Sequence, residues 1–182
     1  MAKQFDSIPL NLQEFIEQQK LFFVATARVE GRINLSPKGM DSFKVINKNQ
    51  VIWLNYTGSG NETAAHLLEE NRMTIMFCSF DSKPLILRLY GKAKTYHERD
   101  AKFKEYISLF SETLGVRQVF ELQVDLVQTS CGFAVPLMEF QEERGLLKSW
   151  TEKKGAAGVK EYWEDKNLKS IDGFDTGIMG EE

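Results

Sequence analysis

A succession of short β-rich segments at hairpin spacing constrains the fold of this 182-residue chain more than any other feature. Each segment is rich in β-branched, aromatic and aliphatic residues, and turn-forming residues such as Glu30-Gly31 separate neighbouring segments. The predicted strands are residues 21–29, 33–36, 43–46, 50–54, 73–79, 85–94 and 119–129. Six or seven strands at this spacing, with few and short helices between them, favour an antiparallel barrel over a parallel α/β sheet.

Several shorter stretches have a helical period instead. Residues 12–20 are predicted to form a helix with Asn11 as its cap, and residues 62–70 and 98–110 are predicted to form two more. Two charged amphipathic pieces, residues 142–150 and 159–166, are separated by Gly155 and Gly158. We therefore predict a barrel domain over residues 1–136, followed by a charged helical extension over residues 137–182. We expect this extension to pack on the barrel or on a partner subunit.

Composition excludes several classes of function. A net charge of −3 gives no general attraction to nucleic acid. The longest apolar runs are too short to cross a bilayer, and no secretory leader is evident near the first residue. The two cysteines and two histidines have no metal-ligand spacing. We expect a cytoplasmic protein with free thiols, no structural metal, and neither a nucleic-acid nor a membrane partner.

The stretch from Trp53 to Thr63 is the most informative for function. A predicted strand ends there in a loop containing Gly58 and Gly60, and the loop opens directly into a helix capped by Asn61. Backbone N–H groups and a helix dipole at such a junction can bind a phosphate. The alternative is an ordinary strand–turn–helix connection in which the glycines only permit positive φ. A carboxylate in the first turn, Glu62, argues against a phosphate there.

Two basic residues are also candidates for a binding site. Pro37 and Gly39 interrupt a predicted strand, which would leave backbone groups free beside a planar heterocycle and place Lys38 near it. The alternative is a solvated turn lysine. Arg88 lies among apolar neighbours in a predicted strand, so it needs an anionic partner or an opening to solvent. It is either an edge-strand residue or a ligand for a phosphate.

Taken together, these segments resemble the pyridoxamine 5′-phosphate oxidase-like superfamily of FMN-binding split barrels. The likeness covers roughly residues 12–136 and is sharpest at residues 53–71 and at the Leu-Tyr-Gly-Lys-Ala run of residues 89–93. The Ser-Cys-Gly-Phe-Ala-Val-Pro run of residues 130–136, followed by Arg144 and Trp150, looks like an uncharacterised bacterial branch. The resemblance implies a mainly β (α+β) fold, a six- to seven-stranded antiparallel split β-barrel with short peripheral helices. It also implies a homodimer with FMN at the interface.

The resemblance further implies a set of cofactor-binding residues and leaves the catalytic residues unknown. The set lies on one strand, on the end of the next strand, on the loop and helix that follow, and on a neighbouring strand that supplies charge. Its members are Asn34, Ser36 and Lys38, then Asn55, Tyr56 and Thr57, then Asn61 and Thr63 near the phosphate, and finally Arg88.

Departures from the family pattern shape the functional hypothesis. Ala64 stands where pyridoxamine phosphate oxidases have a lysine, no arginine closely follows Tyr106, and their C-terminal Arg-x-His is absent. We therefore expect this chain to retain the residues that bind the flavin better than those that bind the vitamin B6 substrate. The leading hypothesis is an FMN-dependent oxidoreductase acting on an unidentified small molecule.

Other functions stay open. One is an F420-dependent reductase, and another is a structural dimer with a degenerate pocket. A third is a non-enzymatic flavin or haem binder, for which His66, His97 and Cys131 are the only evident axial ligands.

Overall fold

The computed structural model describes residues 2–180, and these form one antiparallel sheet flanked by helices. The strands are β1 (Lys3–Phe5), β2 (Phe22–Thr26), β3 (Asn34–Lys38), β4 (Phe43–Asn47), β5 (Gln50–Tyr56), β6 (Arg72–Cys78), β7 (Ile86–His97) and β8 (Val116–Ser130). The helices are α1 (Leu10–Gln18), α2 (Glu62–Leu67), α3 (Ala101–Ile107) and α4 (Leu146–Lys166). The predicted split-barrel class is confirmed, with eight strands rather than six or seven and a sheet that does not close.

The strand order is β3-β2-β6-β7-β8-β5-β4, and β1 adds to β8 off this path. Every pairing is antiparallel. The sequence prediction missed β1 because three residues are too few to show an alternating pattern. Pro37 does not end β3, which continues to Lys38, because β3 pairs only with β2 and a proline is tolerated on an edge strand.

Two apolar clusters pack against opposite faces of β5. Trp53 of β5 is fully buried and stacks on Phe120 of β8 with ring centroids 4.5 Å apart. On the other face of β5, Ile52 and Leu54 pack with Phe103 of α3 in a second apolar cluster. Burial of each large side chain stabilises the fold by about 1.5–3 kcal/mol. The end of β5, where the polar segment begins, is therefore rigidly supported from both faces.

Helix α1 begins two residues earlier than predicted. Pro9 occupies the N-cap position with extended backbone, and Asn11 lies inside the helix and does not cap it. Proline is well suited to a helix start because it has no N–H to leave unsatisfied.

The C-terminal part of the chain returns to the barrel. Residues 131–145 form neither helix nor strand, and α4 is interrupted at Gly155, where φ is +68°. After α4 the chain turns back, and the Arg99 guanidinium donates hydrogen bonds to the carbonyl oxygens of Gly177 and Ile178. Within residues 2–180, none of the helices has the length and apolar character needed to cross a membrane.

Candidate functional site

A polar cavity of about 370 Å³ lies where β3, the end of β5 and the loop before α2 meet. Its lining residues come mainly from these three segments. They are Asn34, Ser36, Pro37, Lys38, Gly39, Met40, Ser42, Leu54, Asn55, Tyr56, Thr57, Gly58, Ser59, Gly60, Asn61, Glu62, Thr63, Arg117 and Leu147. The structure thus brings together eight of the nine residues selected from the sequence, all except Arg88.

Strand β3 forms one wall of the cavity. Asn34, Ser36 and Lys38 are partly buried and alternate with exposed residues, as expected for one face of a strand. The Asn34 Nδ2 donates to the Thr63 Oγ1 at 3.2 Å, which connects this wall to the start of α2. The Lys38 ammonium lies 5.4 Å from the centroid of the buried Trp53 ring. This wall therefore presents one cation and several short polar groups.

The end of β5 forms a second wall, whose side chains are largely engaged with the protein. Asn55 Nδ2 donates to Gln118 Oε1, the Tyr56 hydroxyl donates to the Glu112 carbonyl, and the Thr57 hydroxyl donates to the Gly115 carbonyl, each at 2.8 Å. Burial, with the Glu112 and Asp41 charges, raises the pKa of Tyr56 to about 12. Tyr56 and Thr57 each have one hydroxyl hydrogen, and each already donates it to a backbone carbonyl. We therefore interpret both side chains as supports of the cavity wall rather than as donors to a ligand.

Arg117 of β8 completes the cavity, and the sequence analysis missed it. Its Nη1 donates to Asn167 Oδ1 at 2.7 Å and to the Gly58 carbonyl at 3.3 Å, and its Nη2 donates to the Gly60 carbonyl at 2.6 Å. The residue is only 4% exposed, and its Nε is buried with no hydrogen-bond partner within residues 2–180. The signal that could have found it is the one that selected Arg88: an arginine within an apolar strand.

The two cations of the cavity have no carboxylate within ion-pair distance among residues 2–180. Burial, aided by the Arg117 charge, lowers the pKa of Lys38 to about 8, and burial lowers the pKa of Arg117 to about 10. Glu62 partly offsets the shift at Arg117 and also lines the cavity, so two cations face one carboxylate among the described lining residues. The cavity therefore favours an anion.

The predicted helix dipole contributes less than the sequence suggested. Helix α2 has only six residues and carries Glu62 in its first turn, and Asn61 makes no side-chain capping bond. Asn61 Nδ2 points instead to the carbonyl of Asn167 at 3.5 Å, and its Oδ1 is buried without a partner. The positive potential of the cavity comes from Lys38 and Arg117 rather than from the helix.

Arg88 lies elsewhere in its own chain. On β7 it pairs with Met76 on one side and Gln128 on the other, and its Nη1 donates to the Ser130 hydroxyl at 3.2 Å. It alternates with the fully buried Leu87 and Leu89, so it is on the outer face of the strand. Any contact of Arg88 with a ligand in this cavity would have to come from a second copy of the chain.

The three residues considered as haem ligands do not line the cavity. His66 is buried, with its Nδ1 3.0 Å from the Thr26 hydroxyl, and burial lowers its pKa. Burial and the Arg99 charge lower the pKa of His97 to about 4, and Cys131 is exposed. In the part of the chain that the structure describes, no three His, Cys, Asp or Glu side chains are grouped as metal ligands would be.

The open antiparallel sheet with few short helices is the split-barrel fold of pyridoxamine 5′-phosphate oxidase-like proteins. The chain belongs to the pyridoxamine 5′-phosphate oxidase family, whose sequence model matches residues 8–131. It is 35% identical over 190 residues to the pyridoxamine 5′-phosphate oxidase family protein ustO of Aspergillus flavus. That match covers 93% of this chain and 76% of ustO.

Solved structures share the fold at low sequence identity. HutZ, the haem storage protein of Vibrio cholerae, superposes with a TM-score of 0.51 at 19% identity, covering 69% of this chain and 97% of HutZ. The FAD-binding protein of Mycobacterium smegmatis superposes with a TM-score of 0.50 at 13% identity, covering 69% and 97% of the two chains. At such identities these likenesses establish the fold alone.

Proposed function

We propose that this protein binds FMN in the cavity between β3 and the loop before α2 and uses it to oxidise or reduce a small molecule. The observation that carries the proposal is the pair of cations in the cavity: within residues 2–180 neither Lys38 nor Arg117 forms an ion pair, and they outnumber the one lining carboxylate, Glu62. A buried cation without a counter-charge is costly, so the site is built for a ligand that brings negative charge. A phosphate monoester brings nearly two charges at pH 7.

The donors in the cavity fit such a cofactor. Within residues 2–180, the hydroxyl hydrogens of Ser36 and Thr63 have no acceptor and Arg117 Nε has no partner. We assign the phosphate to the loop, Thr63 and Arg117. We assign Lys38 to the ring system, where its charge would stabilise the anion formed on reduction. A bound flavin supplies the electron-transfer chemistry, and the protein supplies orientation and charge.

We propose further that two copies of the chain complete the site. The cavity lies beside β3, an edge strand, and is too open on one chain to enclose a three-ring system. A twofold axis would cover it and make two equivalent sites. The same arrangement would give the outward-facing Arg88 a role at the partner's cavity.

Haem binding is the second candidate, because the fold is similar to that of a haem storage protein. The cavity itself favours the flavin. His66 and His97 are buried outside it, and neither presents an axial nitrogen to the cavity.

The absorption spectrum of the freshly purified protein separates these functions. We expect flavin bands, FMN binding that is tighter than riboflavin or F420 binding, and reduction of the bound flavin by a nicotinamide or other hydride donor. We expect little or no oxidation of pyridoxamine phosphate, because the arginine after Tyr106 and the C-terminal Arg-x-His are missing. A Soret band on purification, or no affinity for any flavin, would overturn the proposal.

A further inference from the structure

We propose that the C-terminal segment is a working part of the phosphate site, because Asn167 positions Arg117 and the glycine loop for a phosphate monoester. The inference rests on the proposed function only for the identity of the ligand. Asn167 directly follows α4 and lies outside residues 8–131, the part that the family model matches. Asn167, which positions the other groups, therefore lies outside the matched part of the chain, whereas Arg117 and the glycine loop lie inside it.

Asn167 is completely buried, and its side-chain oxygen, side-chain nitrogen and backbone carbonyl each have a hydrogen-bond partner. Its Oδ1 accepts from Arg117 at 2.7 Å, its Nδ2 donates to the Gly58 carbonyl at 3.0 Å, and its carbonyl accepts from the Thr176 hydroxyl at 2.6 Å. A carboxamide can hold a guanidinium in place in this way without neutralising it. An aspartate in the same position would form an ion pair and cancel the charge.

Arg117 in turn sets the orientation of the loop. The carbonyls of Gly58 and Gly60 both accept hydrogen bonds from its guanidinium. In a trans peptide the C=O and the following N–H point in opposite directions, and none of the described peptide bonds is cis. The N–H groups of Ser59 and Asn61 therefore point away from Arg117, and both residues line the cavity. Donors oriented in this way favour an anion.

The same C-terminal segment supports the neighbouring wall. The indole N–H of Trp163 donates to the Thr57 hydroxyl oxygen at 2.8 Å, and both groups are buried. Thus α4 and the residue after it hold the end of β5, the loop and Arg117 together. The charge and the donors of the cavity depend on a segment that is remote in sequence.

The test is Asn167→Asp, measured with FMN, riboflavin and inorganic phosphate. We expect FMN binding to weaken by at least about 10-fold, which corresponds to about 1.4 kcal/mol, with riboflavin binding changed less than about threefold. Inorganic phosphate should compete with FMN in the wild type and lose this ability in the variant. The matched control is Arg99→Gln, which removes another guanidinium bound to two C-terminal carbonyls but lies outside the cavity. It should leave FMN binding unchanged.

The possible outcomes separate this inference from the proposed function. If Asn167→Asp weakens FMN and riboflavin binding equally, Asn167 supports the fold and not the phosphate site. If neither affinity changes, Asn167 does not contribute to binding. Either result overturns the inference while FMN binding by the wild type stands. If the wild type binds no flavin, thermal stabilisation by inorganic phosphate is the remaining measurement. If phosphate stabilises the wild type and Arg99→Gln but not Asn167→Asp, the inference of an anion site positioned by Asn167 is still supported. If phosphate does not stabilise the wild type, the inference is wrong.

Discussion

The Nη1 of Arg117 lies 2.7 Å from the Oδ1 of Asn167, so a buried guanidinium is held by a neutral carboxamide rather than by a carboxylate. Two loop carbonyls accept its other hydrogen bonds, and these too are neutral. Hydrogen bonds to neutral groups satisfy the donors but leave most of the charge uncompensated. Together with Lys38, Arg117 therefore gives the cavity more positive than negative charge, because Glu62 is the one acidic residue among the described residues that line it.

The pKa of Lys38, lowered to about 8, makes ligand binding depend on pH. We expect FMN affinity to fall as the pH rises through about 8, because the loss of the Lys38 charge lowers the positive charge of the whole cavity while the bound phosphate remains a dianion. Dissociation constants measured between about pH 6.5 and 9.5 would show this slope. Lys38→Met should bind more weakly and be flat over that range, and a slope that persists in this variant would assign the titration to another group.

The same lysine should affect the stability of the ligand-free protein in the opposite sense. The pKa of Lys38 is 10.5 when unperturbed and about 8 in the folded chain. Between these pH values Lys38 is therefore largely protonated in the unfolded chain and largely neutral in the folded chain. The free energy of unfolding therefore gains a contribution that rises with pH from about 8 to 10.5. Urea unfolding at several pH values should show this component in the wild type and lack it in Lys38→Met.

Trp163→Phe should destabilise the protein by about 1–2 kcal/mol, because the Thr57 hydroxyl oxygen loses its buried donor. Urea unfolding followed by circular dichroism is the measurement. Trp150→Phe is the matched control, since Trp150 packs against Tyr162 with ring centroids 5.1 Å apart and makes no hydrogen bond within residues 2–180. Equal effects of the two substitutions would contradict a special role for the Trp163 hydrogen bond.

The sequence predicts the cavity walls better than the groups behind them. The family resemblance implies Asn34, Ser36 and Lys38 on one strand, and the structure places them on one face because β-strand side chains alternate through the edge proline. Arg117 and Asn167 could not be paired from the sequence, because 50 residues separate them and no local pattern encodes their contact. The sequence pattern predicts this strand only from Val119, whereas β8 begins at Val116 and includes Arg117.

Gly91→Ala should unfold the protein or destabilise it by about 3 kcal/mol or more. A Cβ at Gly91 would lie 1.9 Å from the backbone oxygen of Gln123, at the register shift between Tyr90 and Gly91. Backbone atoms of the central strand β8 cannot move aside without breaking the sheet. Gly145→Ala is the control, because a Cβ there meets nothing within 4 Å. Thermal unfolding of both variants would test the difference, and similar melting temperatures would contradict it.

Arg88 is expected to act on a ligand across the interface between two copies of the chain. It faces outward from β7 and lies outside the cavity of its own chain, so in a dimer it would act on the cavity of the partner. Arg88→Ala and Arg117→Gln should then each weaken FMN binding by about 10- to 100-fold when assayed alone, since each removes one charge-assisted contact from every site.

Mixing the two variants distinguishes action within one chain from action between chains. After joint unfolding and refolding in equal amounts, about half the dimers should contain one chain of each kind. One site of each mixed dimer would combine the intact Arg117 of one chain with the intact Arg88 of the other, so about a quarter of all sites should bind FMN with wild-type affinity. If both arginines act within one chain, no mixed dimer has an intact site and no tight binding returns. Stoichiometric titration of the mixture with FMN would decide, because it counts tight sites directly.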